Sequence, residues 1–139
     1  VEQIELLNMQ SDLLVHLEVT FPFRAKNLLD EMIEYTVFNG YDTVIAVRKE
    51  SGFLWQERDE GHYKRIDSGD VPRVLKEKLF IGLQGLACIT HPQFVRQGSL
   101  LGKKIGLFRV DDPLSFFEVR DNESRQVVEN FLSNNQHYF

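Results

Sequence analysis

In the first third of the chain, apolar residues form continuous runs in two segments and recur at helical spacing in the segment between them. Residues 13–19 form an apolar run that predicts a buried strand, and residues 27–38 carry apolar side chains at the three- and four-residue spacing of an amphipathic helix. Asn39 and Gly40 supply the left-handed stop that such a helix uses, and residues 43–47 form a second apolar run. A strand, a helix and a strand in this order predict a right-handed crossover between two parallel neighbouring strands.

The rest of the pattern predicts shorter elements within one α/β domain over residues 1–139, with a mostly parallel sheet. An antiparallel hairpin is predicted over residues 53–66, and because it has no place in the sheet's core it is predicted to be an arm that packs on a partner subunit. The other predicted elements are a helix over 1–10, a strand over 79–90 interrupted at Gly82–Gly85, a short helix from Pro92, strands over 105–108 and 116–119, and a last helix capped by Asp121 or Asn122.

Composition and charge exclude several classes of partner. The formal net charge is −5 and no clustered basic face is evident, so no nucleic acid is expected to bind. No apolar stretch approaches the roughly 20 residues of a membrane span, and the first residues lack a signal peptide's regions, so a soluble, cytoplasmic protein is expected. The single cysteine, Cys88, is predicted to be a small buried side chain. Because the sequence begins at Val1 and not at Met, we expect that it has been processed or is a piece of something longer.

Thr20 and Arg24 are the first candidates for chemistry. A strand that ends in Thr-x-Pro-x-Arg before a helix brings a hydroxyl and a guanidinium to the carboxyl edge of the sheet, where ligands bind in open α/β folds. Arginine suits a carboxylate or phosphate because its planar fork donates two parallel hydrogen bonds. The alternative is that Thr20 only ends a strand and Arg24 is a solvated residue at a helix start.

Two later groups of residues are also candidates. Arg73 follows a proline after the predicted arm, and Gln84 precedes Gly85 in the interrupted strand. The alternative for this pair is a β-bulge glycine beside a buried amide that bonds to backbone. Glu118 and Arg120 stand two positions apart, so on a strand their side chains project to the same side.

These segments resemble, in the same order, the cytidylyltransferases that activate sialic acid and related keto-sugar acids. Leu17–Arg24 is similar to the family's Gln-Pro-Thr-Ser-Pro-Leu-Arg stretch. In the family an arginine follows the dimerisation arm and an Asn-Gly opens the next strand, and both hold the sugar acid. Arg73 and Gln84 stand at the corresponding places. The family's Asp-Ile-Asp, ahead of the last helix, corresponds to residues 118–120.

The resemblance implies a partial nucleotidyltransferase-type (Rossmann-like) fold, a homodimer formed through the arm, and transfer of CMP from CTP to a keto-sugar acid. Arg73 and Gln84 would bind the acidic sugar, while Thr20 and Arg24 would organise the strand edge. Glu118 would remain as a ligand of Mg²⁺, a cation that prefers oxygen ligands.

The chain departs from the family at two places that bear on its nucleotide chemistry, besides Gln84 in place of the family's Asn and Phe21 and Phe23 in place of its Ser and Leu. Arg120 replaces the second aspartate, and its charge would repel Mg²⁺. The family's glycine-containing basic loop, which holds the nucleotide's phosphates, has no counterpart here, because Gly102–Gly106 lies between two late strands without the required strand-to-helix junction. The resemblance therefore covers only the C-terminal part of the family's domain. A non-catalytic α/β dimerisation or ligand-binding module that has lost nucleotide chemistry remains the alternative.

Overall fold

The computed structural model describes residues 6, 10–67, 69, 71–72 and 78–135, which form an α/β fold around a five-stranded sheet. In chain order the elements are β1 (Leu14–His16), α1 (Leu28–Asn39), β2 (Thr43–Glu50), β3 (Trp55–Asp59), β4 (His62–Arg65), β5 (Leu79–Gly82), β6 (Cys88–Thr90), α2 (Pro92–Arg96), β7 (Ile105–Arg109), a 3₁₀ turn (Pro113–Phe116) and α3 (Asn122–Asn134). Strands β3 and β4 form the predicted hairpin, which is a separate two-stranded sheet.

The ends of α1 and α3 follow from local chemistry. Gly40 adopts the left-handed conformation at φ 58° and donates its N–H to the carbonyl oxygens of Thr36 and Val37, which ends α1. At the start of α3, the Asp121 carboxylate accepts a hydrogen bond of 2.7 Å from the backbone N–H of Ser124. Both helix boundaries agree with the sequence-based predictions.

Strand β2 is the centre of the sheet and has neighbours on both sides. Strand β7 pairs with β2 in parallel, whereas β5 and β6 pair with its other edge in antiparallel fashion. Strand β6 also pairs antiparallel with β1, so Ile89 lies between Val15 and Val44. Strands β1 and β2 therefore point in the same direction but are not neighbours. The prediction that they pair is wrong, because the fully buried β6 occupies the position between them.

Two buried layers hold the fold together. On one face of the sheet, α1 packs against β2 and β6 through a cluster that includes Leu28, Met32, Val44 and Ile89. The buried Phe23 ring contacts the rings of Phe117 and Phe131 edge to face, at centroid distances of 6.3 and 5.6 Å. On the other face, the second cluster is formed by Ile45, Val47 and Cys88. The predicted burial of the Cys88 side chain is confirmed.

The strand predicted over residues 116–119 is wrong. The Asp112 carboxylate accepts hydrogen bonds from the backbone N–H of Leu114 at 3.1 Å and from Ser115 Oγ at 3.0 Å, and these bonds start the 3₁₀ turn. The following residues, 117–120, are irregular.

Two sequence-based predictions fall largely on parts of the chain that the structure does not describe. The helix predicted over residues 1–10 lies outside the described residues except at positions 6 and 10, and Arg73 lies outside them as well. Within the described ranges, no helix has both the length and the apolar character needed to cross a membrane.

Candidate functional site

A polar cavity of about 370 Å³ lies where β1 ends and where β5 leads into β6. Its walls come from the loop after β1, from β2, from residues 81–85 and from residues 116–120. The side chains of Gln84 and Glu118, predicted separately as sugar and metal ligands, both line it. We call it the Gln84 cavity. Of the four described candidate residues it brings together these two, whereas Thr20 and Arg24 are not among the residues that line it.

The loop that carries Gln84 projects from the sheet because the residues at its two ends, Leu83 and Ala87, form hydrogen bonds with the same residue of β2. Ala46 accepts a 2.7 Å hydrogen bond from the N–H of Leu83 and donates one of 3.0 Å to the carbonyl of Ala87. Of the residues between Leu83 and Ala87, Gln84 and Gly85 line the cavity, whereas Leu86 is buried in the core. Gln84 is exposed, and its amide has no hydrogen-bond partner among the described residues. A buried amide bonded to backbone, the alternative considered from the sequence, is not observed.

Because Gly85 has no side chain, the loop after β1 can pack closely against the loop that carries Gln84. A Cβ atom at Gly85 would lie 2.6 Å from Glu18 Cδ and 2.7 Å from Phe21 Cε2, which is closer than real Cβ contacts allow. The backbone N–H of Glu18 donates a 2.7 Å hydrogen bond to the carbonyl of Gly85. Glycine is therefore required at this position by close packing and not by an unusual backbone angle.

Arg24 joins the loop after β1 to the loop that carries Gln84. Its Nε donates to the carbonyl of Leu86 at 2.9 Å, Nη1 donates to Phe21 at 2.9 Å, and Nη2 donates to Glu18 at 2.6 Å and to Gly85 at 3.3 Å. Partial burial lowers the pKa of the guanidinium. Because these donors are used by backbone carbonyls, the geometry supports a positioning role for Arg24, and its predicted contact with substrate remains a prediction.

Thr20 connects the same loop to the segment before α3. Its hydroxyl donates to Glu18 Oε2 at 3.3 Å, and its carbonyl accepts a 2.8 Å hydrogen bond from the N–H of Val119. Thr20 is not among the residues that line the Gln84 cavity. Its predicted role in binding substrate also remains a prediction.

Glu118 is paired with the residue that replaces the family's second aspartate. Its Oε2 lies 2.6 Å from a terminal nitrogen of Arg120, and this contact raises the pKa of the Arg120 guanidinium. In the described part of the chain, no three His, Cys, Asp or Glu side chains cluster closely enough to hold a metal ion. Because a cation stands where the resemblance implies a second carboxylate and is paired with the first, Glu118 and Arg120 do not fit the Mg²⁺ site that the resemblance implies.

Arg48, which sequence reasoning missed, also lines the cavity. It lies on β2 directly after the apolar run, and its Cζ is 5.7 Å from the centre of the Phe116 ring. Its Nε is buried, and it is the one buried side-chain nitrogen or oxygen in the described residues that lacks a hydrogen-bond partner. A charged residue at the end of an otherwise apolar strand was the available sequence signal.

The segment Gly102–Gly106 has its amides occupied. The Asp42 carboxylate accepts hydrogen bonds from the backbone N–H groups of Lys103 at 2.9 Å and Lys104 at 2.8 Å. These bonds hold the pKa of Asp42 below its usual value. The same amides are therefore not available to a phosphate, in agreement with the sequence-based expectation.

Comparisons with known proteins support the fold. No protein-family model matches the chain, and no curated protein matches it in sequence. The fold is similar to that of the crystal structure of 4-diphosphocytidyl-2C-methyl-D-erythritol synthase from Anaerococcus prevotii, with a TM-score of 0.65 and 12% sequence identity. The match covers 95% of this chain and 64% of that protein's length.

At this level of identity the likeness shows the fold alone. The chain shares the α/β fold of that enzyme, so the predicted fold class is confirmed as a mixed α/β fold. Among the described strands of the main sheet, one pairing is parallel and three are antiparallel. A specific relation to the enzymes that activate sialic acid is not supported by this neighbour. Since Arg73 lies outside the described residues, its predicted pairing with Gln84 also remains a prediction.

Proposed function

We propose that this chain is part of a nucleotidyltransferase that transfers CMP from CTP to a keto-sugar acid, with the sugar bound in the Gln84 cavity. The observation that carries the proposal is the presence of Gln84 and Glu118 in one cavity of a cytidylyltransferase-type fold. The choice of a keto-sugar acid, of which sialic acid is one, comes from the sequence resemblance.

The Gln84 cavity has the size and chemistry for one small polar ligand. Its volume of about 370 Å³ is at the lower end of the range for small-molecule sites, and its lining is more polar than apolar. The Gln84 amide both donates and accepts hydrogen bonds, and it is exposed, so it can bind a sugar hydroxyl without first breaking a protein contact. Arg73 would add the carboxylate contact that the resemblance implies.

The chemistry assigned to the cavity is substrate binding and orientation. A hydroxyl of the sugar would attack the α-phosphate of CTP, and pyrophosphate would leave. Arg24 and Thr20 would hold the cavity wall against the loop after β1 and the segment before α3. The described residues supply no Mg²⁺ site, so no metal is assigned to the Gln84 cavity.

The test uses the polypeptide that the natural reading frame encodes, including any sequence that extends residues 1–139. It is incubated with CTP, Mg²⁺ and several keto-sugar acids, and both pyrophosphate and CMP-sugar are measured. Gln84→Leu should raise the KM for the sugar acid by roughly three- to tenfold, the cost of one neutral hydrogen bond. The matched change Gln97→Leu, at an exposed position outside the cavity, should leave it unchanged. Absence of product with every acid would refute the transferase proposal.

A second candidate function is a non-catalytic module that binds an acidic ligand. The ion pair between Glu118 and Arg120 favours this alternative, because it occupies the carboxylate that a metal would need. Under this alternative, calorimetry would detect binding of a sugar acid that Gln84→Leu weakens, and no CMP-sugar would form.

We also propose that the chain pairs with a second copy through the β3–β4 hairpin. Among the described strands, β3 and β4 pair only with each other, and a lone two-stranded hairpin is marginally stable in water. The Trp55 and Tyr63 side chains are 60% and 65% exposed, and they project on the same face of the hairpin. Packing against another subunit would bury this face.

A further inference from the structure

Arg48 contributes a guanidinium to the Gln84 cavity that the protein does not satisfy. Its Nε is buried without a partner, and none of its nitrogens donates a hydrogen bond to a described residue. Arg24 provides the contrast, because its guanidinium donates to four backbone carbonyls on the other side of the same loop. The two arginines therefore have different roles at one cavity.

The contacts of the Arg48 guanidinium with neighbouring side chains are longer than hydrogen-bonding distance. Its nearest carboxylate oxygen, Glu50 Oε2, is 4.0 Å away, which is beyond hydrogen-bonding distance. The Glu50 carboxylate instead accepts hydrogen bonds from the backbone N–H groups of Ser51 at 2.7 Å and Gly52 at 2.5 Å. The Phe116 ring lies against the guanidinium and limits its motion without using its donors.

The carboxylates that line the cavity are already engaged. Glu118 forms an ion pair with Arg120 at 2.6 Å. Glu18 lies 3.5 Å from His16 Nε2 and accepts a hydrogen bond from the Thr20 hydroxyl. Arg120 is thus paired with Glu118, whereas no described residue accepts a hydrogen bond from Arg48, so Arg48 is the cation lining the cavity whose donors are unused.

We propose that Arg48 binds an oxyanion of the cavity's ligand, either a carboxylate or a phosphate, while Gln84 binds a neighbouring polar group. The proposal rests on the proposed function for the identity of the cavity and adds the group that recognises the ligand's negative charge. A guanidinium suits this role because Nε and one terminal nitrogen donate in parallel to the two oxygens of such a group.

The experiment is calorimetric titration of the 139-residue chain with three probes: N-acetylneuraminate, its uncharged methyl ester, and inorganic phosphate. Removing a hydrogen bond to a charged group weakens binding by roughly 10- to 100-fold, and this is the loss expected for Arg48→Gln with the acid. Arg48→Lys should bind with intermediate affinity, because it keeps the charge but loses the fork. The methyl ester should bind wild type as weakly as the acid binds Arg48→Gln.

Lys49→Gln is the matched control. It makes the same change in charge at the next position of β2, where the exposed side chain projects to the opposite face. Its affinity for each probe should stay within about twofold of wild type. Because Arg48 donates no hydrogen bond to a described residue, Arg48→Gln should also melt within a few degrees of wild type. If Arg48→Gln fails to fold, two comparisons still test the proposal: wild type against Arg48→Lys, and the acid against its methyl ester.

Phosphate binding that depends on Arg48, without binding of the acid, would assign the oxyanion to a phosphate. Equal affinity of wild type and both Arg48 variants for every probe, or no binding of any probe to wild type, overturns the inference. Binding of the acid that depends on Arg48, with no CMP-sugar formed by the full reading frame, refutes the proposed transferase and leaves the inference standing. CMP-sugar formation with an unchanged KM in Arg48→Gln refutes the inference alone.

Discussion

Nε of Arg24 donates a 2.9 Å hydrogen bond to the backbone carbonyl of Leu86, 62 positions later in the chain. This bond joins the loop after β1 to the loop that carries Gln84 and Gly85. The shape of the cavity therefore depends on an arginine whose donors bind backbone carbonyls. A charged side chain beside the cavity can thus be structural, whereas Arg48, which was not singled out from the sequence, lines the cavity itself.

Replacing Arg24 should destabilise the protein. Arg24→Ala leaves partly buried carbonyl oxygens without donors, and we expect a loss of about 2–4 kcal/mol in the free energy of unfolding, measured by urea denaturation. Arg24→Lys should recover only part of this loss, because an ammonium group lacks the planar fork. Lys26→Ala, at an exposed position two residues later, serves as the control and should change stability by less than about 0.5 kcal/mol. A loss below about 1 kcal/mol for Arg24→Ala would contradict the bracing role.

Gly85→Ala should destabilise the fold and distort the cavity. The new methyl group would lie 2.7 Å from Cε2 of the buried Phe21 ring, which must shift, at a cost of about 1–3 kcal/mol. Gly82→Ala is the matched control, because its Cβ would meet only Ile45 Cγ2 at 3.9 Å, an ordinary contact. Thermal melting followed by circular dichroism compares the two variants. Equal melting temperatures would show that the close approach is not required.

Arg120→Asp should create affinity for divalent cations. Wild type is expected to show no change in melting temperature with Mg²⁺ or Mn²⁺, because Glu118 is held by Arg120. The variant releases that carboxylate and adds a second one, and hard cations prefer such oxygen ligands. Lys26→Asp makes the same charge change at an exposed position before α1 whose side chain forms no ion pair with a described residue, so it controls for general electrostatics. A Mg²⁺-dependent shift in wild type would refute our conclusion that the residues present do not fit a metal.

Acid should weaken the contact between Asp42 and the segment before β7. The folded-state pKa of Asp42 is lowered, chiefly by the backbone N–H groups of Lys104 and Lys103. Its ionised form therefore stabilises the fold above the unfolded-state pKa of about 4, and this contribution is lost as the pH falls through the lower folded-state pKa. Asp42→Asn should melt below wild type at pH 7, and the difference should shrink as the pH approaches 3. Asp59→Asn, at an exposed position of β3, is the control.

The hairpin arm should determine the oligomeric state. Sedimentation velocity is expected to detect a dimer, and deletion of residues 53–66 should convert it into a monomer. The double variant Trp55→Glu with Tyr63→Glu should do the same with the arm still present, because charge is costly in a buried interface. Gln56→Glu with Lys64→Glu alters the opposite face of the hairpin and should leave the dimer intact. A monomeric wild type at all concentrations would refute the arm assignment.

The candidate site was predictable in part. Gln84 and Glu118 were identified from the sequence, and the structure brings both into one cavity. The roles of the arginines were not predictable, because the sequence does not show whether an arginine side chain donates to backbone carbonyls or to a ligand. Arg24 was predicted to help bind substrate, which remains a prediction, and the structure shows its donors bonded to backbone carbonyls. Arg48, whose buried Nε lacks a partner among the described residues, was not singled out from the sequence.

The sequence by itself determined the helices α1 and α3, the β3–β4 hairpin and the break between β5 and β6. These features depend on side-chain periodicity, caps and turns, which act over a few neighbouring residues. Only the tertiary structure decided that β6 lies between β1 and β2, with the buried hydroxyls of Thr43 and Thr90 3.0 Å apart. The tertiary structure also decided which hydrogen-bond donors the protein itself does not use, and these remain available to a ligand. Strand order and hydrogen-bond partners depend on contacts between distant segments, which local patterns do not encode.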